Sequence, residues 1–241
     1  MGKSLTDKIL ILDLDNCLLY AHEDKHKTRM NELMKPENMG ERHRVTVANI
    51  VPKGHKREVI YSSTARPDLH RFFEFAKLYF ETIIFWSAAD PDYVHKFVNL
   101  ICRGSIEPDL ILTREHIEYV GPPDSQGHRD YHKPLTVLKK LYPAYYDPKR
   151  ILFLDDKEDN FRDNVDNGLV IPEYEGKKTE DNDSCLLSLM DWLMTPEVIK
   201  STDVRKLNKE HVFDRYNSKV NRDEIYDNII NKLPPGMRFI H

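Results

Sequence analysis

Ile9-Leu10-Ile11-Leu12-Asp13-Leu14-Asp15 and, far along the chain, Ile151-Leu152-Phe153-Leu154-Asp155-Asp156 share one design: an apolar run that ends abruptly in paired carboxylates. Runs of Ile, Leu and Phe without polar alternation read as strands buried on both faces, as in parallel sheets covered by helices on each side. Open α/β sheets bind ligands at the carboxyl ends of such strands, so both acidic pairs are expected at one site. Four acids there would repel one another. A hard divalent cation with oxygen ligands, magnesium first among them, would relieve that repulsion and suits phosphate chemistry.

Working outward, Thr82 to Trp86, Asp109 to Thr113, and residues 150 to 155 and 169 to 173 read as further strands. Helices are expected behind Pro67, with Leu69, Phe72, Phe73, Ala76 and Tyr79 at helical spacing, over Pro91 to Cys102, and over Pro134 to Leu141. Strands alternating with helices predict an α/β fold with a doubly wound, mostly parallel sheet. Residues 21 to 40 are polar and read as a loop or irregular helix. Residues 44 to 63 read as an inserted β-hairpin turning at Pro52-Lys53-Gly54-His55, and residues 118 to 131 as a loop. The character changes near residue 176, where a charged linker precedes an amphipathic helix with Leu186, Leu187, Leu189, Met190 and Leu193. We therefore expect a catalytic domain over residues 1–175 and a C-terminal helical extension over 176–241. Its charged stretch, 201 to 232, is read as helices packed on the sheet's rim, with a partner-binding appendage as the alternative.

The 241 residues suffice for one sizeable α/β domain with an insertion or extension. With 36 Lys and Arg against 40 Asp and Glu there is no overall basic field, so direct nucleic-acid binding is not expected. Cys17, Cys102 and Cys185 are odd in number and lack a CxxC, which argues against a disulfide framework and for an intracellular protein, cytoplasmic or nuclear. The start has no apolar segment of a signal peptide, and no stretch approaches the roughly 20 apolar residues of a membrane span.

Asp13-Leu14-Asp15-Asn16-Cys17 resembles the DxDxT motif of haloacid dehalogenase-type phosphotransferases. Arg66-Pro67, Phe85-Trp86-Ser87-Ala88, Tyr131-His132-Lys133 (opening a helix) and Leu154-Asp155-Asp156 follow in the order of the Fcp/Scp family, the NLI-interacting-factor-like protein phosphatases. The resemblance covers roughly residues 8 to 175. It implies a Mg²⁺-dependent phosphatase in which Asp13 is the nucleophile and Asp15 the general acid and base, with Lys133 neutralising the transferring group and Asp155 orienting that lysine. The implied metal ligands are Asp13, the Asp15 main-chain carbonyl and Asp156. Ser87, Ala88, Lys133 and Arg114 are the implied phosphate contacts. Cys17 stands where the family has Thr or Ser, and reads as a small space-filling side chain, with a redox-sensitive thiol as the sharper alternative.

The implied substrate is phosphoserine or phosphothreonine in a protein or peptide, such as the repeats of the RNA polymerase II C-terminal domain. Two alternatives stay open: the same chemistry on a small metabolite or a nucleic-acid end, and a non-catalytic peptide-binding module on the same fold. Trp86, Tyr142, Tyr145 and Tyr146 read as core and linker aromatics, with a peptide groove as the alternative.

Overall fold

Alternate residues of the first strand, β1 (Ile9–Leu12), supply two separate halves of the core, because successive side chains of a strand point to opposite faces. The computed structural model describes residues 4–24, 44–51, 58–127, 129–177, 180–216 and 220–237. In them β1 lies at the centre of a five-stranded sheet with β5 (Thr82–Trp86), β6 (Leu110–Leu112), β9 (Ile151–Asp155) and β10 (Gly168–Val170), in the order β10-β9-β1-β5-β6. Every pairing is parallel. The chain winds from β1 through β5 to β6 and later returns to β9 and β10 on the other side. The reversal of direction therefore falls between β1 and β9, and a crevice opens there at the strands' carboxyl ends.

Leu10, Leu12, Phe85, Leu152 and Leu154 pack on one face under α1 (Leu69–Tyr79) and α2 (Pro91–Ile101). Ile9, Ile11, Ile84, Trp86 and Phe153 pack on the other under Leu135, α3 (Thr136–Leu141) and the irregular 3₁₀ segment Glu158–Asn167. Trp86 is fully buried and stacks on Phe153, with ring centroids 5.8 Å apart. Tyr142, Tyr145 and Tyr146, partly buried, pack against that same cluster.

Strands occupy the ends of two stretches read as loops. Leu19–Glu23 (β2) pairs with β4 (Val59–Ala65), which also pairs with β3 (Val45–Ile50), so the expected hairpin is part of a three-stranded antiparallel sheet. Only Leu19 of β2 is fully buried, and its far end, His22 and Glu23, is exposed, which hides the strand among polar residues. The hairpin's turn lies outside the described residues. Glu118–Val120 (β7) likewise pairs with Asp130–His132 (β8). Tyr131 and His132 are therefore strand residues, not the opening of a helix, and Lys133, directly before Pro134, is steered away from helical geometry.

Residues 176–241 contribute α4 (Cys185–Leu193), α5 (Pro196–Lys200) and α6 (Arg222–Asn231). Leu186, Leu187, Leu189 and Met190 join the core cluster of Leu10 and Leu12, and Val204, Val212, Ile229 and Leu233 pack into it from further on. The buried Lys8 ammonium donates to the carbonyls of Ile199 and Ser201 at 3.2 and 3.1 Å. Burying a large aliphatic side chain is worth about 1.5–3 kcal/mol, so removing residues 201–241 withdraws an amount comparable with the whole stability of a domain, about 5–15 kcal/mol. That deletion should abolish or severely lower the cooperative thermal melt followed by circular dichroism; an unchanged melt would show these contacts to be dispensable. Among the described residues no helix is long and apolar enough to cross a membrane.

Candidate active site

Asp13 follows β1 directly and is only 6% exposed, its N–H donating to the Leu154 carbonyl at 2.9 Å. The chain then turns sharply: Leu14 drops into the core, Asn16 adopts φ +60°, and the Asn16 N–H donates to the Leu19 carbonyl at 2.7 Å. This turn brings Asp13 and Asp15, which an uninterrupted strand would send to opposite faces, to one cavity of about 270 Å³. Ser87, Ala88, Tyr131, Asp156, Lys157 and Asn160 also line it.

Lys133 is buried between the two acidic pairs. Its ammonium donates to Asp13 Oδ1 and, at 2.7 Å, to Asp155 Oδ2. Burial works against that charge, but the carboxylates of Asp13 and Asp155 outweigh it and hold Lys133 above its ordinary value. Asp155 spends its other oxygen on the Lys157 N–H at 3.0 Å and the Asn160 side-chain amide at 2.7 Å. Asn160 also accepts the Lys133 N–H at 2.7 Å on its carbonyl, so one residue fixes both ends of the ion pair. Burial pushes the Asp13 carboxyl up, opposed by Lys133 and reinforced by Asp155. It likewise pushes Asp156 up to about 6, again with help from Asp155.

Asp13, Asp155 and Asp156 each offer a carboxylate oxygen within 4.8 Å of the others. An all-oxygen donor set fits a hard divalent cation, and the raised carboxyl groups are those a cation would return to the charged form. Asp155 is the most committed of the three to protein donors, which leaves Asp13 and Asp156 as the freer ligands.

Asp15 is held from two sides. The Tyr93 hydroxyl donates to Oδ1, and the Ser87 hydroxyl lies 3.4 Å from Oδ2. Burial raises the Asp15 carboxyl, and these hydrogen bonds and Lys133 oppose the rise. Burial and the neighbouring Asp15 carboxylate keep the Tyr93 phenol protonated, hence a lasting donor. Ser87 is not a helix cap: Asp90 caps α2 by accepting the Asp92 N–H, while Ser87 Oγ accepts the Ala89 N–H at 3.1 Å. The Ser87 N–H is spent on the Leu112 carbonyl, whereas that of Ala88 donates to no protein acceptor among the described residues.

Arg114 does not line the cavity. Its side chain is half exposed with Nη1 3.9 Å from Asp90 Oδ2, and its N–H supports the Ser87 loop through the Ala89 carbonyl at 3.1 Å. Sequence reasoning misses Tyr93 and Asn160, Tyr93 because its ring counts as an apolar helix residue, Asn160 because nothing local links it to Lys133.

Cys17 lies close enough to Asp13 to feel its charge but is fully buried, and its thiol lies 3.9 Å from the Leu154 carbonyl. Burial, reinforced by Asp13 and Asp155, pushes the thiol well up, away from the reactive thiolate. Cys17→Ser should accordingly preserve activity to within about threefold, and mild peroxide should leave the native chain active. Reversible peroxide inactivation that Cys17→Ser abolishes would instead mark a redox switch.

The sequence matches the family described as NLI interacting factor-like phosphatase over residues 8–205. It is 31% identical over 158 residues to ubiquitin-like domain-containing CTD phosphatase 1 of Gallus gallus, covering 64% of this chain and 48% of that protein. It is 28% identical over 162 residues to the ubiquitin-like domain-containing CTD phosphatase of Arabidopsis thaliana, covering 66% and 47%. The chain thus spans about half the length of these curated relatives. A structure of Fcp1, an essential RNA polymerase II CTD phosphatase, superposes with a TM-score of 0.57 at 17% identity, over 94% of this chain and 62% of that one. A fission yeast Fcp1 variant bound to beryllium fluoride gives 0.55 at 21% identity, over 71% and 43%. With a fold of the haloacid dehalogenase type and a family match across most of its length, the chain belongs to the NLI interacting factor-like phosphatases.

Proposed function

We propose that this chain is a magnesium-dependent protein serine/threonine phosphatase that works through an aspartyl-phosphate intermediate. One observation carries the reading: two acids open onto one small cavity, Asp13 pinned by a buried lysine and Asp15 by two hydroxyl donors. Asp13 attacks phosphorus in line through the carboxylate oxygen that Lys133 leaves free, and the bond from phosphorus to the seryl oxygen breaks. Asp15 gives its proton to the departing alkoxide. It then takes a proton from the water that attacks the acyl phosphate, releasing inorganic phosphate and restoring Asp13. Lys133 neutralises charge gathering on the phosphoryl oxygens, Asp155 and Asn160 keep Lys133 in place, and the Ala88 N–H receives a phosphoryl oxygen, joined by the Ser87 hydroxyl when its one proton turns from Asp15 to the substrate.

Asp13, Asp156 and the Asp15 main-chain carbonyl would hold Mg²⁺. When bound it supplies positive charge for the phosphate and lowers the repulsion among the acids. Arg114, at the rim, is assigned to substrate contact outside the phosphate cavity. The relatives named as CTD phosphatases favour phosphoserine or phosphothreonine in a peptide, with the RNA polymerase II C-terminal domain as the first substrate to try. The assembled acids and lysine argue against a non-catalytic module.

A panel tests the substrate class: phosphopeptides, sugar phosphates and 3′-phosphorylated oligonucleotides at matched concentrations, with magnesium and with chelator. We expect hydrolysis of the phosphopeptides in magnesium and none in chelator. A clear preference for a sugar phosphate or an oligonucleotide end would transfer the chemistry to that class.

A further inference from the structure

Beside the catalytic cavity lies a second one of about 200 Å³, and the two share Tyr131, Lys157 and Asn160 as a common wall. Its outer walls carry Arg129 and Arg162. Elsewhere in this net-negative chain most of the described arginines sit on carboxylates, among them Arg66 on Asp183, Arg71 on Asp68, Arg205 on Asp203 and Arg222 on Asp68. Arg129, Lys157 and Arg162 do not; among the described residues none makes an ion pair. Asp130 and Asp159, both exposed, line the same cavity without pairing with any of the three. Three cations thus face two carboxylates.

Both guanidinium groups are nonetheless held. Arg129 stacks on Tyr119 at 4.9 Å from the ring centroid and donates to the Gly121 carbonyl at 3.2 Å. Arg162 Nη2 lies 3.1 Å from His132 Nδ1. A guanidinium has no acceptor, so Nδ1 accepts and the imidazole proton sits on Nε2, which lies 2.8 Å from Asp163 Oδ2 and 3.9 Å from Glu118 Oε2. Neutral or relayed contacts of this kind fix an arginine's position without neutralising it with a direct carboxylate. Such a fork keeps donors for an anion and gives up little side-chain entropy on binding one.

We propose that this second cavity is an anion subsite that takes a further phosphate group on the same phosphopeptide substrate. A phosphate dianion can engage both guanidinium forks and the Lys157 ammonium, whereas a carboxylate has fewer acceptor oxygens to share among them. Its wall in common with the catalytic cavity puts the second phosphate next to the scissile one, so the subsite would select peptides phosphorylated more than once. The inference rests on the phosphatase reading for the identity of the substrate.

The test uses Asp13→Asn protein, so that binding is read without turnover, and labelled peptides carrying one phosphoserine or a second one at successive neighbouring positions. Fluorescence anisotropy should show tighter binding at the matching spacing, by about 3- to 10-fold, the size of a few partly exposed charge pairs. Adding Arg129→Gln and Arg162→Gln together should bring the ratio to about one, while the same pair in the native background leaves hydrolysis of p-nitrophenyl phosphate unchanged. No preference at any spacing, a preference that survives the double substitution, or an equal gain from a glutamate in place of the second phosphate would each overturn the subsite. Failure of the phosphatase reading shows separately, as an inability of the native chain to hydrolyse p-nitrophenyl phosphate in magnesium.

Discussion

Asp13→Asn should abolish turnover of both phosphopeptide and p-nitrophenyl phosphate, by about 10⁴-fold or more, since an amide cannot attack phosphorus and no other group can replace a lost nucleophile. The fold should survive. Removing one partner of a buried ion pair is ordinarily costly, but Lys133 keeps its 2.7 Å bond to Asp155, and the substituted amide oxygen can still accept from the ammonium. The substitution also removes one of three crowded carboxylates, so the thermal melt should move by no more than a few degrees, the span of about 1 kcal/mol in a chain of this size.

In the native chain beryllofluoride and magnesium together should form a stable mimic of the aspartyl phosphate, visible as a raised melting temperature that Asp13→Asn eliminates. Near-normal hydrolysis by the variant would end the nucleophile assignment. A dead variant that still gains stability from beryllofluoride would move the nucleophile to another carboxylate of the cavity.

What the sequence displays and what it hides follow from whether a residue's partner is local. The strands ending at Asp13 and Asp155 are legible because both faces are buried, and continuous apolar runs have few other readings. β2 escapes such a reading because only Leu19 in it is buried and its far end is exposed. Its pairing with β4 is set some 40 residues away. Arg66 reads as a helix preface next to Pro67, yet it is fully buried, donating to the carbonyls of Cys17 and Pro172 and pairing with Asp183. That anchor ties the turn after Asp13 to the start of α4, and no periodicity reveals it. The acids and Lys133 are legible as chemistry, while the groups that aim them, Tyr93 and Asn160, become visible only once helix and loop are folded against the crevice.

Asp15→Asn separates acid catalysis from metal binding, because the carboxylate is bonded to Tyr93 and Ser87 and stands outside the close cluster of Asp13, Asp155 and Asp156. An asparagine in its place keeps the main-chain carbonyl, so magnesium affinity should change little. Turnover of phosphoserine should fall by about 10²- to 10⁴-fold, the usual worth of a positioned acid–base group. The loss should be smaller for p-nitrophenyl phosphate, whose leaving group needs hardly any protonation. Tyr93→Phe keeps the ring packing against Tyr61 and Phe97 but frees one carboxylate oxygen, so it should show the same leaving-group bias at a fraction of the loss, about tenfold on phosphoserine. Equal losses on the two substrates would give Asp15 a role other than proton transfer. A large drop in magnesium affinity would place its side chain among the metal ligands.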